Sequence, residues 1–397
     1  MKGYDAVVVG AGAAGVGVGV ALSKLDLDFV VVERDRIGAS FRDWPEEMRF
    51  ITPSFPSNSF GIPDLNAVTP KTSPAFALDR EHPSGEEYAD YLEGVAEYYE
   101  LPVKEGVEVG SVRPRNTTTD EATEMAVDGG AQEGFVLETD DGEVETRFVV
   151  WATGQYGEPR RPFEGADCCV HNTEVNSWKN HAEKGEEFVV IGGYESGIDA
   201  AVGLIDNGCS VTVVDSGAPW AVRAPDPSVS LSPYTLERFD RIAGSDDLTF
   251  AGDTYVERVE RYTDGCRYAV VTREVTEDGL SDSEGRIETE TRPLLAAGFE
   301  TEFGPADEYF PRDQEGVVPL TDRDESPIAD GLFLAGPEVA HNGVLFCFIY
   351  KFRTRFPVIA ETIGERLGVD TSPLEVYREE SMFMDDLSCC EPDMCDC

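Results

Sequence analysis

An α/β architecture of two three-layer domains, the second inserted into the first, is predicted by three observations in the 397-residue sequence. The first is a unit of strand, glycine turn, helix, strand and acid. Asp5–Val9 runs into Gly10-Ala11-Gly12-Ala13-Ala14-Gly15, and Phe29–Val32 ends on Glu33. The second is a repeat of that unit in mid-chain, from Glu187–Ile191 through Gly192-Gly193-Tyr194-Glu195-Ser196-Gly197 to Val211–Val214 and Asp215. Gly10 to Glu33 and Gly192 to Asp215 have the same spacing, as expected of a repeated structural unit. The third is a pair of apolar strands that frame the repeat, Phe135–Val150 closing on Trp151-Ala152-Thr153-Gly154, and Gly331–Gly336. Alternation of strand and helix in this pattern gives parallel sheets, here two Rossmann-like domains.

Each part of the first unit has a physical task. Gly10 makes the tight turn, Gly12 lets the backbone approach a pyrophosphate, and Gly15 brings helix against strand. Ala13 and Ala14 lie in the first helical turn, whose unpaired N–H groups hold negative charge. Glu33 is left to accept the adenosine ribose hydroxyls. Two such units predict two dinucleotides, FAD and NAD(P)H, because each offers one pyrophosphate site. In the second unit, Gly192, Gly193, Glu195, Ser196 and Gly197 are the candidate contacts, but Tyr194 stands where the middle glycine should be and screens the backbone. Asp215 suits a ribose 2′-hydroxyl and repels a 2′-phosphate, which favours NADH. Arg223 is near enough in sequence to reverse that preference.

Between the units, Ile37–Pro74 is rich in Pro, Ser and aromatics and reads as a long functional loop. Ser84–Tyr99 reads as a helix with a Ser84/Glu87 capping box and an apolar face of Tyr88, Tyr91, Leu92 and Val95. Leu101–Val112 is strand-like, and Thr117–Glu133 is an acidic insertion or hairpin turn. After the second unit, Pro293–Phe299 closes the inserted domain. A long helix is expected from about Gly343 to Leu367, and a further helix-like stretch from Leu374 to Met384.

Composition narrows the class. No apolar run approaches the roughly 20 residues that a membrane-spanning helix needs, and no basic, apolar leader precedes the first strand; a cytoplasmic protein is expected. Seventy-eight acids against 32 bases give a formal charge of −46 spread along the chain. Diffuse acidity of this size suits a halophilic protein, one that works in high salt where self-repulsion is screened. No basic stripe exists for nucleic acid. The expected partner is a small-molecule substrate, with a homodimer as one arrangement.

The nine cysteines include Cys389, Cys390, Cys395 and Cys397 in the last nine residues. These four could hold a soft metal ion, relay electrons, or do nothing specific. Cys168 and Cys169 are adjacent, on what reads as a short apolar strand, and are expected to be buried and inert.

GAGAAG, WATG, GGYESG, LLAAGF and GLFLAG, in that order, resemble the two-dinucleotide-domain flavoproteins, over nearly the whole chain. Gly38-Ala39-Ser40 through Trp44, followed by Thr52-Pro53-Ser54, is similar to the flavin-containing monooxygenase branch, whose relatives include the pyridine nucleotide-disulfide oxidoreductases of the thioredoxin-reductase type. The resemblance implies a nicotinamide domain (159–300) inserted into a discontinuous FAD domain (1–158 and 301–397, with a cysteine-rich tail at 385–397). It places Gly10, Gly12, Gly15, Glu33, Arg34, Ser40, Trp44, Val109, Thr153, Gly154 and Gly336 around FAD.

The amino end of the last helix, near Asn342-Gly343-Val344, would direct N–H groups at the flavin pyrimidine and stabilise its anionic reduced form. His341 adjoins that end and is a candidate catalytic group. Disulfide reductases of this fold carry a Cys-x-x-Cys beside the flavin, and the chain has none. The expected function is therefore an FAD-dependent NAD(P)H oxidoreductase of monooxygenase type, passing hydride to flavin N5 and then electrons to O₂ and a small substrate. A low-molecular-weight disulfide or metal-ion reductase using Cys389 and Cys390, and a redox-sensing regulator, are the alternatives.

Overall fold

The computed structural model describes residues 2–56, 61–115, 134–224, 230–263, 267–314 and 316–388. Strands β1 (Lys2–Val9), β2 (Phe29–Val32), β3 (Val103–Lys104), β4 (Val109–Pro114), β5 (Phe135–Thr139) and β6 (Gly142–Trp151) form the first sheet, in the order β3-β2-β1-β6-β5-β4. The chain then leaves through β7 (Glu158–Pro159). Strands β8 (Val170–His171), β9 (Glu187–Ile191), β10 (Ser210–Val214) and β11 (Leu248–Ala251) belong to a second sheet. A three-stranded antiparallel meander follows, β12 (Thr254–Arg261), β13 (Tyr268–Thr276) and β14 (Gly279–Thr289). β15 (Leu294–Leu295) completes the second sheet, ordered β11-β10-β9-β15-β8. β16 (Phe299–Glu300) pairs antiparallel with β7, so the outgoing and returning chains are hydrogen-bonded to each other. β17 (Leu332–Leu334) then rejoins the first sheet parallel to β6.

The helices are α1 (Ala13–Leu22), α2 (Ala39–Arg42), α3 (Pro74–Leu78), α4 (Gly85–Tyr98), α5 (Trp178–His181), α6 (Glu195–Asp206), α7 (Pro233–Ile242), α8 (Ile349–Phe352), α9 (Phe356–Leu367) and α10 (Glu375–Glu379). Every residue of α1 is buried, and all four residues of β2 are too. Such uniform apolar runs are what a parallel sheet covered on both faces requires. α1 carries glycines because α9 lies close: a Cβ on Gly17 would sit 2.1 Å from the Phe356 ring. α4 begins as its sequence predicts, with Ser84 N donating to Glu87 Oε2 at 2.8 Å and Glu87 N donating to Ser84 Oγ at 3.2 Å. The two sheets are joined by side chains as well as by the crossovers. Glu47 accepts from Ser177 Oγ at 2.7 Å and from Trp178 N at 3.0 Å.

Three expectations need correction. No helix starts at Gly343. Instead β18 (Ala340–His341) and β19 (Val344–Leu345) form a hairpin, and helix resumes only at Ile349. Asn342 and Gly343 have φ of 51° and 81°, the left-handed pair that a two-residue hairpin turn demands and that an Asn-Gly step supplies. Leu374–Met384 is helical only briefly, as a 3₁₀ turn to Leu374 followed by α10. Cys168 ends a 3₁₀ turn, Ala166–Cys168, one residue short of β8, so the cysteine pair precedes the strand. The acidic segment at 117–133 and the cysteines of the tail lie outside the described residues. Among the described residues no helix is long and apolar enough to cross a membrane.

Candidate nucleotide-binding site

Three loops meet at the carboxyl ends of β1, β6 and β17. Gly10 has φ +101°, and a Cβ there would lie 2.6 Å from the Ala152 carbonyl oxygen. On Gly15 a Cβ would lie 1.8 Å from the Gly10 carbonyl oxygen, so helix and turn touch through backbone alone. Ala335 N donates to Trp151 O at 2.9 Å, and a Cβ on Gly336 would lie 3.5 Å from the Ala14 Cβ. Gly12 contrasts with both other glycines of the turn: a Cβ there would meet nothing within 4 Å. It is the N-cap of α1, with no side-chain cap and no acid in the first turn. The N–H groups at this helix end are therefore left without a side-chain cap, the arrangement that holds a phosphate.

Glu33 stands beside this helix end. Its Oε2 accepts from Ala11 N at 2.7 Å and its Oε1 from Asp35 N at 3.0 Å. Val107 N donates to Glu33 O at 2.8 Å; the sequence offered no signal for Val107, and Val109 lies two residues further along, buried on β4. Arg34, Ser40 and Thr153 are exposed, and Gly154 is half-buried. Trp44 is half-buried and packs into an aromatic group, 5.5 Å from Phe41 and 5.1 Å from Phe50 between ring centres.

His341 is buried on β18 and its Nε2 lies 2.5 Å from Asp324 Oδ1. Asp324 is wholly buried and also accepts from Arg355 Nε at 2.9 Å and Nη2 at 3.1 Å. Arg355 further donates to Asp322 O at 2.6 Å and to the carbonyl of Met384. Asp324 and Arg355 carry no sequence motif, so this cluster was not foreseen. It ties the hairpin to the C-terminal arm, and Val344, half-buried on β19, shares that hairpin. Asn342 Nδ2 donates to Leu387 O at 3.2 Å. Cys347, between β19 and α8, is partly buried and was also overlooked.

The second glycine turn repeats the backbone of the first. Cβ atoms on Gly192 and Gly197 would meet Ala296 O at 2.3 Å and Gly192 O at 1.8 Å. Asp215 Oδ2 accepts from Gly193 N at 2.8 Å, the counterpart of Glu33 with Ala11. The helix end differs. Tyr194 is its N-cap and donates from its hydroxyl to Ser230 O at 3.1 Å. Glu195 reaches across to the start of α7, accepting from Ser232 N at 2.5 Å, Ser232 Oγ at 3.2 Å and Thr235 Oγ1. Burial pushes its carboxyl above the usual range despite those bonds. Ser196 is half-buried in the same first turn. Arg223 donates to Trp220 O at 2.7 Å and Val222 O at 3.0 Å.

Cys169 is fully buried and its thiol is pushed up to about 12 by that burial. No group of His, Cys, Asp and Glu that could hold a metal ion occurs among the described residues.

The chain is similar to known proteins along most of its length. It is 28% identical over 128 residues to the bacilliredoxin reductase Bdr of Bacillus subtilis, 32% of this chain and 36% of that one; the match thus spans about a third of the curated relative. The bacillithiol disulfide reductase Bdr (YpdA) of Staphylococcus aureus has the same fold, with a TM-score of 0.70 and 19% identity over 92% of this chain and 99% of that one. An ornithine N-hydroxylase from Kutzneria sp. 744 does too, with a TM-score of 0.66 and 19% identity over 92% and 100%. A model of the pyridine nucleotide-disulphide oxidoreductases matches residues 7–336, and with the repeated glycine turns in two parallel sheets it follows that the chain belongs to the pyridine nucleotide-disulphide oxidoreductase family.

Proposed function

We propose that the chain is an FAD-dependent oxidoreductase reduced by NAD(P)H, with residues 1–158 and 301–397 as the FAD domain and 159–300 as the nicotinamide domain. The observation that carries this reading is the amino end of α1, where Gly12 is an N-cap without a side-chain partner and a Cβ on it would meet nothing within 4 Å. The residues present fit FAD. The first turn of α1 would hold the pyrophosphate, with Ala13 and Ala14 supplying N–H groups, and Glu33 would orient the adenosine ribose. Gly336 and the hairpin bearing Val344 would border the rest. When bound, FAD would supply the hydride-accepting centre.

Transfer to O₂ and a small substrate is the favoured outcome, because the sequence has no Cys-x-x-Cys. Passing electrons to a disulfide needs a thiolate within reach, and of the adjacent pair Cys168 and Cys169, beside the edge strand of the second sheet, Cys169 is fully buried with its thiol held protonated by that burial. A second reading, reduction of a small disulfide, is favoured by the bond from Asn342 to Leu387 O. Leu387 is two residues before Cys389, so the root of the cysteine tail lies beside the hairpin. NADH is the favoured donor on the strength of Asp215, and the diffuse acidity is read as adaptation to high salt.

Anaerobic addition of NADH and of NADPH to the FAD-loaded protein, followed by air, tests the reading. Bleaching of the flavin and reoxidation by O₂ coupled to substrate oxygenation supports it. Reoxidation only by an added disulfide supports the second reading, and failure of both nucleotides to bleach the flavin overturns both.

A further inference from the structure

The two glycine turns agree in backbone and in their closing acids, and they differ in what covers them. In an open α/β unit the nucleotide lies outside the carboxyl ends of the strands. At the first unit that space borders Gly12, whose counterpart in the second is Tyr194, and Ala11, the counterpart of Gly193, is buried. At the second it is filled by Trp220, which lies on the 3₁₀ turn Pro219–Ala221 just after β10. A Cβ on Gly193, at the end of β9, would lie 2.1 Å from the Trp220 ring, and one on Gly252, just past β11, would lie 3.3 Å from it. The Phe250 ring, on β11, is 4.8 Å away between centres. The indole thus spans the ends of three adjacent strands and is 8% exposed.

The surrounding groups hold it there. Ala218 turns the chain with φ +48°, and Arg223 binds the Trp220 carbonyl at 2.7 Å. Indole and adenine are both planar fused rings of one five- and one six-membered cycle, so a site shaped around one has the thickness for the other. Tyr194, the N-cap of the adjoining helix, is anchored through its hydroxyl to Ser230 O.

We propose that Trp220 plugs the second cradle, so that a pyridine nucleotide engages this unit only when the indole leaves the space its adenine would take. The proposal rests on the second unit being the nucleotide domain, as proposed above, and concerns only how that unit is entered. Gly193 is what admits the plug, since any side chain there would collide with the ring.

The test uses the FAD-loaded full chain and ADP-ribose, which carries the adenosine and pyrophosphate but cannot reduce flavin. By calorimetry, Trp220→Ala is expected to bind ADP-ribose at least about tenfold more tightly than the native protein, a gain that Asp215→Ala in the same background abolishes. In native protein labelled with 5-fluorotryptophan, the Trp220 resonance, assigned with Trp220→Phe, is expected to move to a solvent-exposed position as ADP-ribose saturates. Equal or weaker binding by a natively folded Trp220→Ala overturns the proposal. So does saturation of the native protein with the Trp220 resonance unmoved, a result that decides the matter even where Trp220→Ala does not fold. Absence of ADP-ribose binding to the unplugged variant also overturns it, while bleaching of the flavin by NADH, measured separately, would leave the oxidoreductase reading standing.

Discussion

Glu33 accepts the Ala11 N–H at 2.7 Å, binding the end of the second strand to the turn that follows the first. The same carboxylate is the group proposed to meet the adenosine ribose, so its loss would disturb both the turn and the ligand. Hydrogen bonds to a charged group contribute about 1.5–3 kcal/mol. Glu33→Ala is therefore expected to weaken FAD binding by roughly ten- to a hundredfold, measured by reconstituting apoprotein with FAD and following flavin fluorescence. Unchanged retention of FAD would separate Glu33 from the ligand.

The glycines of the first turn make a sharper comparison. Gly15→Ala forces a methyl to within 1.8 Å of the Gly10 carbonyl oxygen, which the backbone cannot absorb without moving. Gly12→Ala meets nothing within 4 Å. The expected outcome is a large loss of thermal stability for Gly15→Ala. Gly12→Ala should keep the native melting temperature of the apoprotein and lose affinity for FAD.

Cys169 carries a pH dependence of known sign. Burial raises its thiol from the ordinary 9.0 to about 12 in the folded state. The unfolded chain gives up this proton first as pH rises, so the group's contribution is complete below about pH 9 and is lost progressively between there and about pH 12. Urea melts across that range should show native protein losing stability faster than Cys169→Ala. In native protein at neutral pH, a thiol reagent should label the partly buried Cys347 ahead of Cys169.

Asp324 is wholly buried between His341 and Arg355. Removing one partner of a buried pair leaves the other charge uncompensated, at a cost of about 3–5 kcal/mol. Asp324→Ala should be strongly destabilising by equilibrium denaturation, and protease should cut the C-terminal arm, which Arg355 holds through the Met384 carbonyl, sooner than in native protein.

A formal charge of −46 predicts a dependence on salt. Screening shortens from about 10 Å at 0.1 M to about 3 Å at 1 M, which reduces repulsion between the many exposed carboxylates more than it weakens the fewer Arg–Glu pairs such as Arg258 with Glu284. The melting temperature is expected to rise steadily with KCl over this range. A fall would mean that the ion pairs outweigh the repulsion.

What could be read from the residues alone was whatever neighbouring residues demand of one another. Gly10 and Gly15 are required by a turn a few residues long, Ser84 and Glu87 by one helical turn, and the equal spacing of the two units by the length of a strand–helix–strand. The Asn342-Gly343 step is equally local and suits a hairpin turn, whereas nothing in the apolar run after it marks that helix begins only at Ile349. Tertiary structure alone decided the rest. The Asp324 carboxylate reaches His341 and Arg355, 17 and 31 residues away, and Trp220 lies over Gly193 because β9, β10 and β11 end side by side. Local sterics and hydrogen bonds are written in consecutive residues, whereas these contacts exist only once the sheets have brought distant segments to one edge.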